Sequence, residues 1–181
     1  MKNYFMKHNI GVVINYCTND YKFIEHTINS VAGFAREIIV PVCDHFYDGT
    51  TENNNLIKKT IEENPQAKFI RFKFDKGKKI QPYWSWRLRR ILKLPLQSGS
   101  QYWVCYARKL GWNNLSKNSE YTLFLDADEI IDAQKFIRWL NTNEYRKYNA
   151  MKFANYWYFR EPKYQALTWE DSPVMFKRDY V

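Results

Sequence analysis

The feature that most constrains this chain is a short apolar run that ends in acidic residues, at residues 121–129. Residues 122–125 are apolar or β-favouring, as in a strand buried on both faces of a parallel sheet. Asp126, Asp128 and Glu129 follow where that strand ends. Because burial and mutual repulsion both disfavour charged carboxylates, we expect either a wet strand mouth or a bound cation there. Ligands of open α/β sheets lie outside the carboxyl ends of the strands, and one or two carboxylates with phosphate oxygens and water suit a hard divalent ion.

The same acids have a second interpretation, in which they only stabilise the start of the next helix. Aspartate is a favourable N-cap residue, and acids in a first helical turn interact well with the helix dipole. This interpretation needs no ligand. The stretch by itself leaves both interpretations open.

The composition predicts one folded domain over residues 1–181. The chain is 45% hydrophobic and 18% aromatic, which argues against disorder. It has no apolar run of about 18 residues, and its first residues lack the apolar core and cleavage site of a secretory signal. Its three cysteines are widely spaced and never form C-x-x-C, so we expect reduced thiols and neither zinc nor disulfides. We therefore predict a cytoplasmic protein.

The net charge of +9 indicates an anionic partner, and much of it lies in one segment. Residues 76–100 contain two glycines and two prolines, which predicts an insertion rather than a regular unit. Within it, residues 83–94 have the pattern of a basic amphipathic helix. This helix would either contact an anionic membrane surface peripherally or cover the sheet with its arginines in water. We do not expect nucleic-acid binding, because no recognisable motif accompanies the charge.

The rest of the chain alternates predicted strands with predicted helices, which is typical of an α/β fold with a mainly parallel sheet. The predicted strands are residues 10–14, 36–42, 68–74, 122–125, 150–159 and 174–176, and the predicted helices are residues 20–32, 54–64, 102–115 and 133–140. In the first helix, Phe23, Ile24, Ile28 and Val31 form the predicted apolar face.

Four short strings occur in a fixed order along this pattern. They are INYC at 14–17, DGTTE at 48–52 after Asp44, ARKLG at 107–111 and FLDADE at 124–129. In this order they resemble the inverting nucleotide-sugar glycosyltransferases of family 2, over about residues 9–140. The family's strings are close to D-D-G-S-T-D, A-R-N-x-G and L-D-A-D-E. The resemblance implies the GT-A fold, a Rossmann-like, mainly parallel sheet flanked by helices.

The resemblance also implies roles for individual positions on the nucleotide side. Asn15 and Tyr16 would line the pocket for the base and ribose. Asp44 would hydrogen-bond the base or the ribose, and Arg108 would face the nucleotide or its diphosphate. The implied activity is that of a hexosyltransferase, which moves a sugar from a nucleotide-diphosphate donor, a UDP-sugar first of all, to a glycan or lipid-linked acceptor with inversion.

The acidic string would then be the family's DXD motif. Asp126 would contact the ribose or ion-bound water and take part in the metal site. Asp128 would ligate Mn²⁺ or Mg²⁺ bridging the diphosphate. A Lewis-acidic ion and a nearby cation are what the departing nucleoside diphosphate requires.

The chain also departs from the family pattern. Cys43 and Lys109 replace an acid and an asparagine of the usual strings. Residues 169–171 resemble the family's W-E-D string, so Glu170 or Asp171 is the candidate general base; the alternative is a solvated turn before the last strand. These residues lie closer to the DXD motif than the family's base does. We therefore expect a short or missing acceptor half, as in a truncated gene. The alternative function is that of a remnant that binds a nucleotide sugar without transferring it.

Overall fold

The computed structural model describes residues 8–75, 99–158 and 163–180 of the chain. Within these ranges the strands are β1 Ile10–Asn15, β2 Glu37–Cys43, β3 Lys68–Phe72, β4 Tyr121–Asp126, β5 Ala150–Tyr158 and β6 Gln165–Lys177. The α-helices are α1 Tyr21–Ala32, α2 Asn54–Glu63, α3 Gly99–Asn114 and α4 Ala133–Asn141. Short 3₁₀ turns lie at Thr18–Asp20, Glu144–Lys147 and Arg178–Tyr180.

The six strands form one sheet in the order β3-β2-β1-β4-β6-β5. The strands β3, β2, β1 and β4 run parallel, whereas β6 is antiparallel to β4 and β5 is antiparallel to β6. The predicted fold class, an α/β fold with a mainly parallel sheet flanked by helices, is confirmed. None of the helices in the described ranges has the length and apolarity that crossing a bilayer would need.

The two central strands are apolar because helices cover both faces of the sheet. The larger core includes Val12 of β1 and Leu123 of β4, together with Ile24 and Ile28 of α1. A smaller cluster on the other face contains Val13 and other residues that pack beneath α3. The prediction that this sheet centre is buried on both faces is thus confirmed.

One part of the predicted apolar face of α1 is wrong. Phe23 is 45% exposed, whereas Ile24, Ile28 and Val31 are buried as predicted. The buried position beside them belongs instead to Thr27, whose hydroxyl finds hydrogen-bond acceptors within the protein. A small polar side chain can therefore take a core position when its hydroxyl is satisfied.

We predict that Gly111→Ala destabilises the protein, although alanine favours helices by about 1 kcal/mol. At Gly111 the helix α3 approaches β1 and β2 so closely that a Cβ atom would lie 3.0 Å from Pro41 Cγ and closer still to Val13 Cγ1. Both neighbours are buried, so the added methyl group overpacks the core at a cost of about 1–3 kcal/mol. Urea unfolding of Gly111→Ala and of Asn113→Ala, an exposed site on the same helix, checks this. Equal midpoints for the two variants would contradict the prediction.

Candidate functional site

Three parallel strands bring polar side chains to their carboxyl ends. Asn15 is the last residue of β1, and it pairs in register with Asp126, the last residue of β4. Asp44 follows directly after β2. In sheets of this kind, the edge formed by the carboxyl ends is where ligands bind. The candidate site therefore lies at the mouths of β1, β2 and β4.

A chain of hydrogen bonds joins four side chains from four segments at this edge. Arg108, from α3, donates through Nη2 to Asp126 Oδ1 at 2.8 Å. Asn15 Nδ2 donates to the same oxygen at 3.3 Å. The hydroxyl of Tyr47, from the turn after β2, donates to Asn15 Oδ1. Asp126 thus sits between a cation and an amide that are both held in place.

Arg108 keeps donor capacity beyond its contact with Asp126. Its side chain is 38% exposed, and its buried Nε atom has no hydrogen-bond partner among the described residues. A guanidinium group offers five N–H donors in a planar fork. Arg108 can therefore bind Asp126 and still contact an anion that arrives from solvent.

Acidic side chains crowd the same strand mouths. Asp128 is exposed, and Asp20, which ends the turn after β1, is partly buried. Burial raises the pKa of the Asp20 carboxyl, and the negative charges of Asp128, Asp126 and Glu52 raise it further. These carboxylates therefore lie close enough to repel one another, and a bound cation would relieve the repulsion.

The acids fit a metal ion that is shared with a ligand. The described part of the chain contains no group of three or more His, Cys, Asp or Glu side chains that could hold a metal without help. Mg²⁺ and similar hard ions often take only one or two carboxylates, with phosphate oxygens and water completing the shell. Asp126 and Asp128 would supply such carboxylates, so the donor set fits an ion whose remaining ligands come from phosphate oxygens and water.

The interpretation of these acids as helix caps is wrong. The N-cap of α4 is Asp132, whose side chain accepts a hydrogen bond from Lys135 N at 3.0 Å. Asp126, Asp128 and Glu129 all precede that cap. The start of α4 therefore does not account for the acidic string.

Glu129 has a different role from the two aspartates. It is 8% exposed, and its carboxylate accepts hydrogen bonds from Asp126 N at 2.7 Å and from the Ser172 hydroxyl at 2.7 Å. A longer contact of 3.4 Å joins it to Asn155 Nδ2. Burial raises the pKa of this carboxyl above its usual value. Glu129 thus ties the mouth of β4 to the hairpin of β5 and β6.

A second anchor fixes the loop between the two aspartates. The hydroxyl of Thr27, on α1, donates to the carbonyl oxygen of Ala127 at 2.6 Å. Ala127 is fully buried, whereas Asp128 is exposed. The inward position of Ala127 leaves Asp126 and Asp128 at the mouth of the strand.

Comparison with known proteins gives a likeness in fold without a likeness in sequence. No protein-family model and no curated protein matches the chain. The chain is similar to the solved structure of Rv0371c from Mycobacterium tuberculosis H37Rv, with a TM-score of 0.50 and 7% identity over 96% of this chain and 74% of that one.

Two further solved structures are similar at a slightly lower level. One is 4-diphosphocytidyl-2C-methyl-D-erythritolsynthase from Anaerococcus prevotii DSM 20548, with a TM-score of 0.49 and 14% identity over 94% of this chain and 70% of that one. The other is the mannosyltransferase PcManGT from Pyrobaculum calidifontis in complex with GDP-Man and Mn²⁺, with a TM-score of 0.49 and 9% identity over 96% of this chain and 45% of that one. At these identities the likeness concerns the fold alone.

Of two residues with implied nucleotide roles, Tyr16 lies in the core and Asp44 lies at the end of β2. The ring of Tyr16 is 1% exposed, and its hydroxyl pairs with that of Thr60 at 2.8 Å, so the side chain lies in the core and not at the strand mouth. Asp44 lies at the mouth of β2, where its Oδ1 accepts from Phe74 N and contacts His45 Nδ1, both at 2.8 Å. Partial burial would raise the pKa of Asp44, but these hydrogen bonds hold it below its usual value.

Sequence reasoning missed three residues of this region. Tyr47 completes the hydrogen-bond chain, and burial raises the pKa of its phenol above the usual value. Asp20 adds a carboxylate to the acidic mouth. Glu52, 4% exposed, accepts from Thr18 N at 3.1 Å and joins the loops that follow β1 and β2. No local sequence pattern indicates the role of Tyr47, because its partner Asn15 lies 32 residues away in the chain.

The candidate general bases lie in a strand rather than in a turn. Glu170 and Asp171 belong to β6, where they pair with Asn155 and Ala154 of β5, so the alternative of a solvated turn is wrong. Their side chains lie outside the described residues. Residues 76–98 of the predicted insertion, including the amphipathic segment 83–94, also lie outside them, while the last two residues of that insertion begin α3.

We expect the buried Tyr16 phenol to make stability fall at alkaline pH. Burial raises the pKa of Tyr16 from 10.0 to about 12, so the unfolded chain releases this proton first as the pH rises. Stability is then lost between pH 10 and 12, by about 1.4 kcal/mol per pH unit. Tyr16→Phe should remove this part of the loss, while costing about 1 kcal/mol at pH 7 for the hydrogen bond to Thr60. Urea unfolding of both proteins at pH 7 and pH 11 checks this, and parallel pH dependences would contradict it.

Proposed function

We propose that the chain is a metal-dependent glycosyltransferase of the hexosyltransferase type. It transfers a sugar from a nucleotide-diphosphate donor to a glycan or lipid-linked acceptor, with inversion. One observation carries the proposal: Asp126, at the end of β4, is held by Arg108 and lies in register with Asn15, and the exposed Asp128 follows two residues later. The proposal is supported by a cation and two carboxylates at the carboxyl ends of the strands, the edge at which open α/β sheets generally bind ligands.

The chemistry assigns separate tasks to these residues. Asp126 and Asp128 would hold Mn²⁺ or Mg²⁺, which supplies Lewis-acid stabilisation of the diphosphate when bound. Arg108 provides a second positive charge for the leaving group, and its position is fixed before the reaction begins. The carboxyl chemistry admits either ion, and UDP and GDP are both suitable first nucleotides for testing.

The remaining roles follow the same assignment. Asn15 and Asp44 border the pocket for the nucleoside, and Tyr16 contributes only its main chain, which bridges to Val42 of β2. Glu170 or Asp171 acts as the general base that takes the proton from the acceptor hydroxyl. In this proposal, residues 1–181 form one nucleotide-sugar-binding domain.

The first test measures nucleotide binding by calorimetry with UDP or GDP, with and without Mn²⁺. We expect Mn²⁺ to strengthen nucleotide binding to the intact protein. In Asp128→Ala this strengthening should fall by about tenfold or more, because a metal site with two carboxylates loses one of them. Asp132→Asn is the matched control, since it removes a nearby negative charge and asparagine still caps α4.

Two results would remove the proposal. One is the absence of nucleotide binding by the intact protein with either nucleotide and either ion. The other is an equal response to Mn²⁺ in Asp128→Ala and Asp132→Asn, which would mean that Asp128 contributes only its general charge.

A second candidate function is a protein that binds nucleotide sugars without transferring them. The observation in its favour is the state of Glu129, the buried acid beside the candidate metal ligands, whose carboxylate is occupied by hydrogen bonds. Glu129 is therefore not free to accept a proton from an acceptor, and transfer would depend entirely on Glu170 or Asp171. An assay of donor hydrolysis separates the two functions, because measurable turnover excludes a protein that only binds.

A further inference from the structure

The turn that follows β2 sends one of its side chains to the end of β1. This turn, residues 45–51, closes through an antiparallel main-chain bridge between its first and last residues. Inside it, Phe46 N donates to the carbonyl oxygen of Thr50 at 2.8 Å. From this turn the hydroxyl of Tyr47 reaches Asn15 Oδ1, 32 residues away in the chain. A turn that is closed by its own main chain thus holds Tyr47 against the end of β1.

The string DGTTE at residues 48–52 overlaps this turn, and its side chains have no role in the proposed function. Asp48 Oδ1 accepts hydrogen bonds from the main-chain N–H of Thr50 at 2.8 Å and from its hydroxyl at 2.7 Å. Glu52 accepts a main-chain hydrogen bond at 3.1 Å from the loop after β1. Both acids therefore serve the turn itself and its attachment to β1. The string builds the support on which Tyr47 is carried.

The side-chain amide of Asn15 is held at both of its ends. Its Oδ1 atom accepts from the Tyr47 hydroxyl, and its Nδ2 atom donates to Asp126 Oδ1 at 3.3 Å. Since an amide oxygen only accepts and an amide nitrogen only donates, both contacts fit one orientation of the group. Without the Tyr47 hydroxyl, the amide would keep only the contact of 3.3 Å, which lies just beyond the usual range of N–H···O bonds. Tyr47 therefore restrains the amide that faces Asp126.

One oxygen of Asp126 receives two donors. Arg108 Nη2 donates to Oδ1 at 2.8 Å, and Asn15 Nδ2 donates to the same atom. The other oxygen, Oδ2, takes no part in this chain of hydrogen bonds. When two donors from different elements hold Oδ1, the plane of the carboxylate is fixed, and so is the direction of Oδ2. The arrangement thus reserves one oxygen of Asp126 for a partner other than Arg108 and Asn15.

We propose that Tyr47 is a positioning residue for the ion site. It holds Asn15, and Asn15 together with Arg108 holds Asp126 so that its second oxygen stays available to the ion. The inference rests on the proposed function for the presence of that ion and of the nucleotide. Groups that orient metal ligands typically change metal affinity by about 10–100-fold. Tyr47 acts one contact further from the ion than Asn15, so its effect is the smaller of the two, and it does not itself contact the nucleotide.

Calorimetry on the full chain with UDP or GDP measures the factor by which Mn²⁺ strengthens nucleotide binding. We expect Asn15→Ala to lower this factor about tenfold and Tyr47→Phe to lower it about fivefold, as for the loss of one neutral hydrogen bond. Tyr121→Phe is the matched control, since it removes a hydroxyl that donates to Tyr148 O at 3.3 Å, at the opposite end of β4. Equal factors in Tyr47→Phe and Tyr121→Phe would overturn the proposal.

The double variant Asn15→Ala/Tyr47→Phe shows whether Tyr47 acts through Asn15. If it does, Tyr47→Phe has no further effect on the factor once residue 15 is alanine. Two independent effects would instead multiply to about fiftyfold, and that result would overturn the proposal. Equal weakening of nucleotide binding by Tyr47→Phe with and without Mn²⁺ would also overturn it, because Tyr47 would then contact the nucleotide directly.

NMR of the side-chain amides, without nucleotide or ion, keeps this inference apart from the proposed function. The Asn15 Nδ2 signals are the ones that disappear in Asn15→Ala. Tyr47→Phe should shift them, whereas Tyr121→Phe should leave them in place, and signals that stay in place in Tyr47→Phe refute this inference alone. If Tyr47→Phe shifts them but the intact protein binds neither nucleotide, the proposed function is refuted, and the restraint of Asn15 by Tyr47 is still supported.

Discussion

Arg108→Gln is expected to lower kcat for donor turnover by about 10²–10³, the usual effect of removing one fixed group that stabilises a developing negative charge. Arg108 reaches Asp126 at 2.8 Å from α3 and keeps 38% of its side chain exposed. Glutamine can still donate to Asp126, but it carries no charge that could stabilise the leaving diphosphate of the proposed reaction. Kinetics with saturating donor measure the change in kcat, and calorimetry measures the change in nucleotide affinity.

The control for Arg108→Gln is Lys109→Gln on the same helix. Lys109 is exposed, and its removal changes the net charge equally. We expect nearly unchanged turnover for Lys109→Gln and an unfolding midpoint close to wild type for both variants. The kcat of Arg108→Lys should lie between those of the wild type and Arg108→Gln, because lysine keeps the charge but lacks the planar fork. Equal activities of Arg108→Gln and Lys109→Gln would show that Arg108 acts only through the general positive field.

The elements of the fold could be predicted because their signals are local. The strands β1 and β4 are short apolar runs without alternation, as expected for strands buried on both faces. The end of α2 before Pro65 follows from the restriction that proline places on its predecessor. The hairpin of β5 and β6 was harder, since Trp169 pairs with Tyr156 only once distant segments meet. The sequence therefore allowed a turn at residues 169–171, whereas the structure places them in β6.

The candidate site could be predicted where it depends on strand ends, and not where it depends on distant contacts. Asn15 and Asp126 share one edge because β1 and β4 run parallel in register. Side chains of neighbouring strand residues point to opposite faces, and this alternation accounts for the burial of Tyr16 beside Asn15. Tyr47 lies 32 residues from its partner Asn15, and no local pattern indicates that contact.

Glu129→Ala is expected to lower both stability and turnover, and its effect on turnover should be second only to that of Arg108→Gln. This holds although Glu129 contacts neither the donor nor the ion in the proposed function. The substitution removes the acceptor for Asp126 N and for the Ser172 hydroxyl. A partly buried N–H group left without a partner costs about 1–3 kcal/mol of stability. The loop that carries Asp126 and Asp128 also loses its tie to the β5–β6 hairpin, and a misplacement of about 1 Å at a reacting group can lower turnover about 10²-fold.

The positioning role of Glu129 can be separated from a purely structural one. Glu129→Gln keeps a carbonyl oxygen for Asp126 N, so it should recover most of the stability and most of kcat. Ser172→Ala removes one donor but leaves the contact with Asp126 intact, and it should cost less than tenfold in kcat. If Glu129→Ala loses stability but keeps wild-type kcat and KM, Glu129 only supports the fold. If kcat falls in Glu129→Ala and returns in Glu129→Gln, the contact of 2.7 Å between Glu129 and Asp126 N sets the position of the loop that carries Asp126 and Asp128.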